Sequence, residues 1–263
     1  MLFEFEERGS DSPLVERIWR TRNERAGEFT SLAASHRELV VARYQGRLGL
    51  TLRAPEARAA TVFCSIEAEW FGIVLKLGAF VPHLPDTALV NGGIDLPEAG
   101  EKTFWLQGAA WEYPTFENAD AFVARLVREG LLVRDPVVDA ALRDEPQAVS
   151  PRWVQHRFVR ATGLSQGAIR RIERARYATI LLQGGVPILE TAVRAGYADQ
   201  AHLTRSLKHF TGLTPARLAR PDNPVSTSFL FKTGSPPSVM LRDDAVVVPG
   251  KIAGNSKRAG KHS

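Results

Sequence analysis

The chain has 263 residues, with 34 Lys and Arg, 29 Asp and Glu, a formal charge of +5 and one cysteine, Cys64. That length suits two modest domains, each able to bury its own core, and the ordinary globular composition confines expected disorder to the ends. A lone cysteine excludes an intramolecular disulfide framework and a multi-cysteine zinc site.

At the start, Met1-Leu-Phe-Glu-Phe-Glu-Glu-Arg8 is acidic and lacks the charged and then apolar pattern of a signal peptide. Strands are expected over 39–44 and 48–53, a hairpin about Gln45-Gly46-Arg47, and again over 60–66 and 71–75. Cys64, within the apolar run Val62-Phe-Cys-Ser65, reads as a buried thiol. The longest apolar segment, 71–81, is too short for a bilayer and is broken by Lys76. On these features the chain is expected in a reducing cytoplasm with no membrane partner. Residues 1–116 read as a β-rich sensing or oligomerisation domain. His36, Arg37, His83 and Trp105 are candidates to line a pocket there, although scattered His and Trp more often occupy ordinary core or rim positions. No spacing of His, Asp or Glu suggests a metal site, and no cofactor is expected.

From residue 117 the hydrophobic period changes to 3.6. Ala119, Phe122, Val123, Leu126 and Val127 mark a helix over 117–132, capped by Asn118 and read as the opening of an all-α half spanning 117–220. A short helix follows from Asp135-Pro136 to Leu142. Ser150 then caps a helix with Pro151 at its first position; Val154, Phe158 and Ala161 face inward, and Arg152, Trp153, Gln155, His156 and Arg160 face out. Thr162-Gly163-Leu164 closes it. Ser165 caps a long helix running to about Gln183, with Ile169, Ile172, Ala175, Leu181 and Leu182 inward. The pattern then repeats. Pro187 opens a helix that stops at Gly196-Tyr197-Ala198, and Asp199 caps another whose Leu203, Leu207 and Phe210 form the buried stripe. Gln200, His202, Thr204, Arg205 and Lys208 occupy its other face.

Helix, turn, helix, twice over and joined by a long helix, is a layout for reading DNA. Arg and Gln are the side chains that pair with guanine and adenine edges, although a solvated polar face on a helical hairpin uses the same residues. A long helix of the expected length, roughly 27 Å at 1.5 Å per residue, approaches the roughly 34 Å between successive major-groove faces. Charge is divided along the chain: residues 149–220 carry 12 Lys and Arg against 3 acids, and residues 1–148 carry 16 against 23. A basic block beside an acidic one fits a phosphate-binding unit joined to something that does not bind DNA.

The runs Thr162-Gly-Leu-Ser165, Ile169-Arg-Arg-Ile-Glu-Arg-Ala-Arg176, Gly196-Tyr-Ala-Asp-Gln-Ala-His-Leu-Thr-Arg205 and Thr211-Gly-Leu-Thr-Pro215 resemble the AraC/XylS family of bacterial transcription regulators. The resemblance covers about a hundred residues. It implies a tandem helix-turn-helix domain in which Arg152, Trp153, Gln155 and His156 of one recognition helix, and Gln200, Ala201, Thr204 and Arg205 of the other, contact DNA. His156 stands where the family more often carries Arg, which leaves the base preference of the first helix open, and Leu203 replaces a commoner Phe in the core. Many members place a β-rich sensor half first, which implies an effector site, and the resemblance leaves RNA polymerase contact and homodimerisation open.

Residues 225–232 are candidates for a strand docking back, and 221–263 otherwise read as a flexible, basic tail. Two alternatives stand beside the DNA-reading regulator: an architectural or protein-binding helical module without sequence selectivity, and a serine hydrolase, because Gly163-Leu-Ser165-Gln-Gly167 matches G-x-S-x-G. The second needs a strand before the serine, where the pattern here is helical.

Overall fold

Most of the first 116 residues form antiparallel strands, and most of residues 117–220 form helices. A computed structural model describes residues 3–220 apart from 24, 65–67, 84–89 and 144. The tail at 221–263, with its expected strand, lies outside the described residues, as does the side chain of Cys64.

Strands β1 (Phe3–Arg8), β2 (Val15–Asn23), β4 (Glu38–Tyr44), β5 (Arg47–Arg53), β7 (Glu69–Leu75) and β9 (Gly93–Leu96) make one sheet in the order β1-β2-β7-β4-β5-β9. Its central hairpin pairs Tyr44 with Arg47. Gln45 and Gly46 both take positive φ, 49° and 78°, as a two-residue turn matched to strand twist requires. β3 (Gly27–Ser31) and β6 (Ala60–Cys64) form a separate ribbon, β10 (Glu98–Gly100), β11 (Thr103–Leu106) and β12 (Ala109–Glu112) a meander, and β8 (Ala79–Phe80) pairs with β13 (Val133–Arg134).

Alternation divides the main sheet into two faces. Ile18, Leu39, Val41, Leu50, Leu52, Phe71 and Ile73 lie in the main core. Trp19, Val40 and Val74 form a smaller cluster with Phe5 and Trp70. A Cβ on Gly72 would sit 2.3 Å from the Trp19 indole, so β7 needs glycine there for the ring to lie across it.

Helix α1 (Ala119–Arg128) forms where the 3.6 period places it, with Ala119, Phe122, Val123 and Leu126 buried. Its partner is not the expected one. Those residues join the main β core rather than opening the helical half. Periodicity identifies the buried face but not what covers it. Asn118 occupies the cap position, yet its Oδ1 accepts from the Thr115 N–H at 2.8 Å instead of capping.

The helical half comprises α2 (Pro136–Leu142), α3 (Pro151–Thr162), α4 (Gln166–Gln183), α5 (Ile188–Arg194), α6 (Gln200–Thr211) and α7 (Pro215–Leu218). Asp135, Ser150, Ser165, Asp199 and Thr214 each accept a backbone N–H at a helix start. Within α4, Ala178 and Thr179 are buried alongside the expected residues, whereas Leu181 is half-exposed.

Neither core of this half is self-contained, contrary to the expectation from chain length. Leu32 lies among Leu182, Leu203, Leu207 and Leu218, and Phe80 among Val138, Phe158, Ile169 and Ile172. The expected pairing of one core per half fails because isolated apolar residues such as Leu32 show no period from which a partner could be read.

Candidate nucleic-acid interface

Two helical units carry the site, and both close in the same way. At the end of α3 the Thr162 hydroxyl donates to the Phe158 carbonyl at 2.8 Å and receives the Leu164 N–H at 3.3 Å. At the end of α6 the Thr211 hydroxyl donates to the Leu207 carbonyl at 2.7 Å and receives the Leu213 N–H at 3.2 Å. Gly163 and Gly212 follow with φ of 78° and 74°, the left-handed region in which a side chain is strained. Ser165 and Thr214 then cap the next helix. The motif Thr-Gly-Leu-Ser/Thr is thus a built repeat that fixes how each unit's second helix exits.

In the first unit, Asp135 is buried, caps α2 through the Val137 N–H at 3.0 Å and accepts from Arg157 Nε at 2.8 Å and Nη2 at 2.7 Å. This fork clamps α2 to α3. The Arg157 guanidinium also lies 5.0 Å from the centre of the Trp153 ring, which is 42% exposed. Arg152, Trp153, Gln155, His156 and Arg160 are all exposed on α3, at spacings that align them on one face.

In the second unit, the turn Gly196-Tyr197 closes α5, with the Tyr197 N–H donating to the Ala192 carbonyl at 2.8 Å. Tyr197 is buried, its hydroxyl 2.9 Å from Ser206 Oγ and its ring edge-on to His202 at 5.0 Å. His202, expected on the open face, is therefore half-buried. Gln200, Ala201, Arg205 and Lys208 are exposed. Thr204 is half-buried and its hydroxyl donates to the Gln200 carbonyl at 2.8 Å. Phe210 is only partly buried and touches both helical cores. Arg152, Arg160, Arg205 and Lys208 form none of the ion pairs found among the described residues, so their charge is open to an anionic partner.

The hydrolase alternative meets a different geometry. Ser165 follows a helix, and its Oγ accepts the Ala168 N–H at 3.2 Å as a cap. That is not the strand-to-helix elbow a nucleophile needs. Among the described residues no group of three or more His, Cys, Asp or Glu is placed to hold a metal, and no helix is long and apolar enough to cross a membrane.

The four residues suggested for a pocket do not converge. His36 Nε2 sits 3.2 Å from Glu38, Arg37 is buried against α3, His83 is exposed, and Trp105 is 46% exposed on β11. A cavity of about 700 Å³ instead opens over the α1 side of the main sheet. Val41, Leu48 and Phe71 floor it, and Tyr113 and Phe116 wall it. At its rim Arg20 pairs with Glu6 at 2.7 Å and Glu117 at 2.9 Å while its guanidinium lies 4.5 Å from the Phe116 ring centre. Sequence reasoning missed these residues because they come from five strands and a loop; no local motif joins them.

Comparison with known proteins bears on the helical half. Residues 147–220 match the family model described as a helix-turn-helix domain. Over 95 residues the chain is 35% identical to the HTH-type transcriptional regulator RipA of Corynebacterium glutamicum, a match covering 35% of this chain and 28% of that protein. Two structures of ToxT from Vibrio cholerae align over 83% of this chain and 98% of theirs, at 8% and 10% identity and a TM-score of 0.34 each. The second is bound to (E)-4-(8-methylnaphthalen-1-yl)but-3-enoic acid.

Proposed function

We propose that this chain is a sequence-specific transcription regulator of the AraC type that acts on DNA in the cytoplasm, a reading supported by the match of residues 147–220 to the helix-turn-helix family model and by the likeness to an HTH-type regulator. In this reading α3 and α6 enter successive major-groove segments on one side of the duplex. The observation that carries it is the pair of exposed polar faces, one per unit, each at the start of a helix whose far side is core. On α3, Arg152, Gln155 and His156 address base edges, Trp153 packs on the groove wall and Arg160 grips phosphate. On α6, Gln200, Thr204 and Arg205 address bases, Ala201 lets the backbone approach, and Lys208 grips phosphate. The β-rich half modulates this binding: a small molecule in the cavity beside Phe71 and Phe116, or a partner such as a second copy or RNA polymerase, shifts the affinity by its own preference between states.

The test is selection of bound sequences from a random duplex library with the full chain. A bipartite site is expected, its halves about one DNA turn apart. Arg205→Ala and Gln155→Ala should each cost about 1–3 kcal/mol and relax selectivity in different halves. Binding should also weaken steeply with salt as the basic residues displace counterions. If no sequence is enriched, the architectural reading replaces this one; if both substitutions affect the same base pairs, the bipartite reading fails.

A further inference from the structure

An α-helix leaves its last carbonyls without partners inside the helix. In α3 and α6 the β-rich half supplies donors for several of them. Arg37 Nε donates to the Ala161 carbonyl at 3.4 Å, the Ala59 N–H to the His209 carbonyl at 3.1 Å, and the Ala33 N–H to the Phe210 carbonyl at 2.9 Å. The donors lie on two short segments, 30–37 and 55–59. These are bound to each other by reciprocal backbone hydrogen bonds between Ala34 and Glu56 at 2.8 and 2.9 Å. One segment leads into β4, and the other follows β5.

The glycines that close the two units touch this same strap. A Cβ on Gly163 would lie 3.3 Å from Arg37 Nη2 and 3.4 Å from Pro55 Cδ, and one on Gly212 would lie 3.5 Å from Thr30 Cγ2 and 3.7 Å from the Ala59 Cβ. Corresponding points of the two repeats therefore rest on one support. Between them the Ser35 hydroxyl donates to Glu173 Oε1, midway along α4, at 2.6 Å. Leu32, fully buried, fills the core behind α6. Six residues, 32–37, thus reach α6, α4 and α3 in turn.

We infer that the strap formed by residues 30–37 and 55–59 is the positioning element that sets the separation and tilt of the two recognition helices. Arg37 and Ser35 are its adjustable side chains. The inference rests on the reading of α3 and α6 as the DNA-contacting helices. Helices held at one end by a common support present their other ends at a fixed offset, so the ordering cost of binding two groove segments is met before DNA arrives. Releasing the support leaves each helix able to read its own half-site while the offset between them varies.

The experiment uses the full chain and a library in which the two selected half-sites are separated by spacers of graded length. The wild type should accept one spacing. Arg37→Met should broaden the accepted spacings and weaken binding at the original one by roughly tenfold, and Ser35→Ala should do the same by a few-fold, with base preference within each half-site unchanged. Circular dichroism and a melting curve establish that each variant is folded. If Arg37→Met does not fold, Ser35→Ala carries the test, because its hydroxyl can be removed without opening a core. Folded variants that keep a single spacing at wild-type affinity overturn the inference and leave the proposed function standing. A wild-type chain that selects no bipartite site overturns the functional reading itself.

Discussion

Asp135 shows how much of the first unit hangs on one buried carboxylate. It caps α2 and receives both arms of Arg157. Asp135→Ala should cost about 2 kcal/mol, roughly half for the cap and half for the charged hydrogen bonds, with Arg157 discounted because its side chain is 40% exposed. Denaturant unfolding measures this, and an unchanged midpoint would mean that α2 and α3 are fixed by packing alone. Asp120 gives a second, pH-dependent test. Burial alone would raise its carboxyl, but hydrogen bonds from Ser10 and Arg8 hold it below the ordinary aspartate value. With the folded value depressed, its stabilisation is complete above the unfolded pKa, about 3.9, and is lost as pH falls through the folded one. Stability should therefore decline more steeply below about pH 4 in the wild type than in Asp120→Asn. The outward residues on α3 and α6 were legible from spacing. That His202 tucks against Tyr197, and that the Thr204 hydroxyl is engaged by Gln200, were not, because a helical wheel gives direction and not neighbours.

The helices from α3 onward were readable where the sequence announces their ends: Ser150-Pro151, Ser165, Asp199 and the Thr162-Gly163-Leu164 closure perform their expected roles, whereas Asn118 does not cap α1. What covers an element was not readable, and α1 is the instructive example, since its stripe fits a sheet as well as a helix bundle. At this scale α4 is the element to perturb. Ala175 is buried at its middle between the two units. Ala175→Pro removes a backbone hydrogen bond and clashes with the preceding turn, at about 3 kcal/mol or more. Bipartite binding should disappear while weak, salt-sensitive binding persists, because the basic side chains remain. Gly167→Ala is the control, as a Cβ there meets nothing within 4 Å. Gln166 would be a poor control despite its place near the surface, because its Nε2 donates to the Ala141 carbonyl at 2.7 Å. A folded Ala175→Pro protein with full bipartite affinity would show that α4 is not the spacer.

At the scale of the molecule, the charge division along the chain suggested two separable units, yet the packing joins them. The basic faces of α3 and α6 are indeed on the helical half, but Leu32 and Phe80 from the β-rich half occupy its cores, and α1 belongs to the sheet. A fragment of residues 135–220, which keeps Asp135, would lose both plugs and the donors to Ala161, His209 and Phe210. Replacing one buried leucine with alanine costs about 2–5 kcal/mol, a large fraction of the 5–15 kcal/mol that holds a domain together. The fragment should therefore melt well below the full chain, exchange its α6 amides faster and bind DNA mainly through charge. Leu32→Ala in the full chain separates this from simple truncation. Although residue 32 lies in the β-rich half, the substitution should lower protection of α6 and α7 while the amides of β2 and β7 stay protected, as hydrogen exchange can resolve. A fragment as stable as the whole, selecting the same spaced site, would mean that the halves touch without depending on each other.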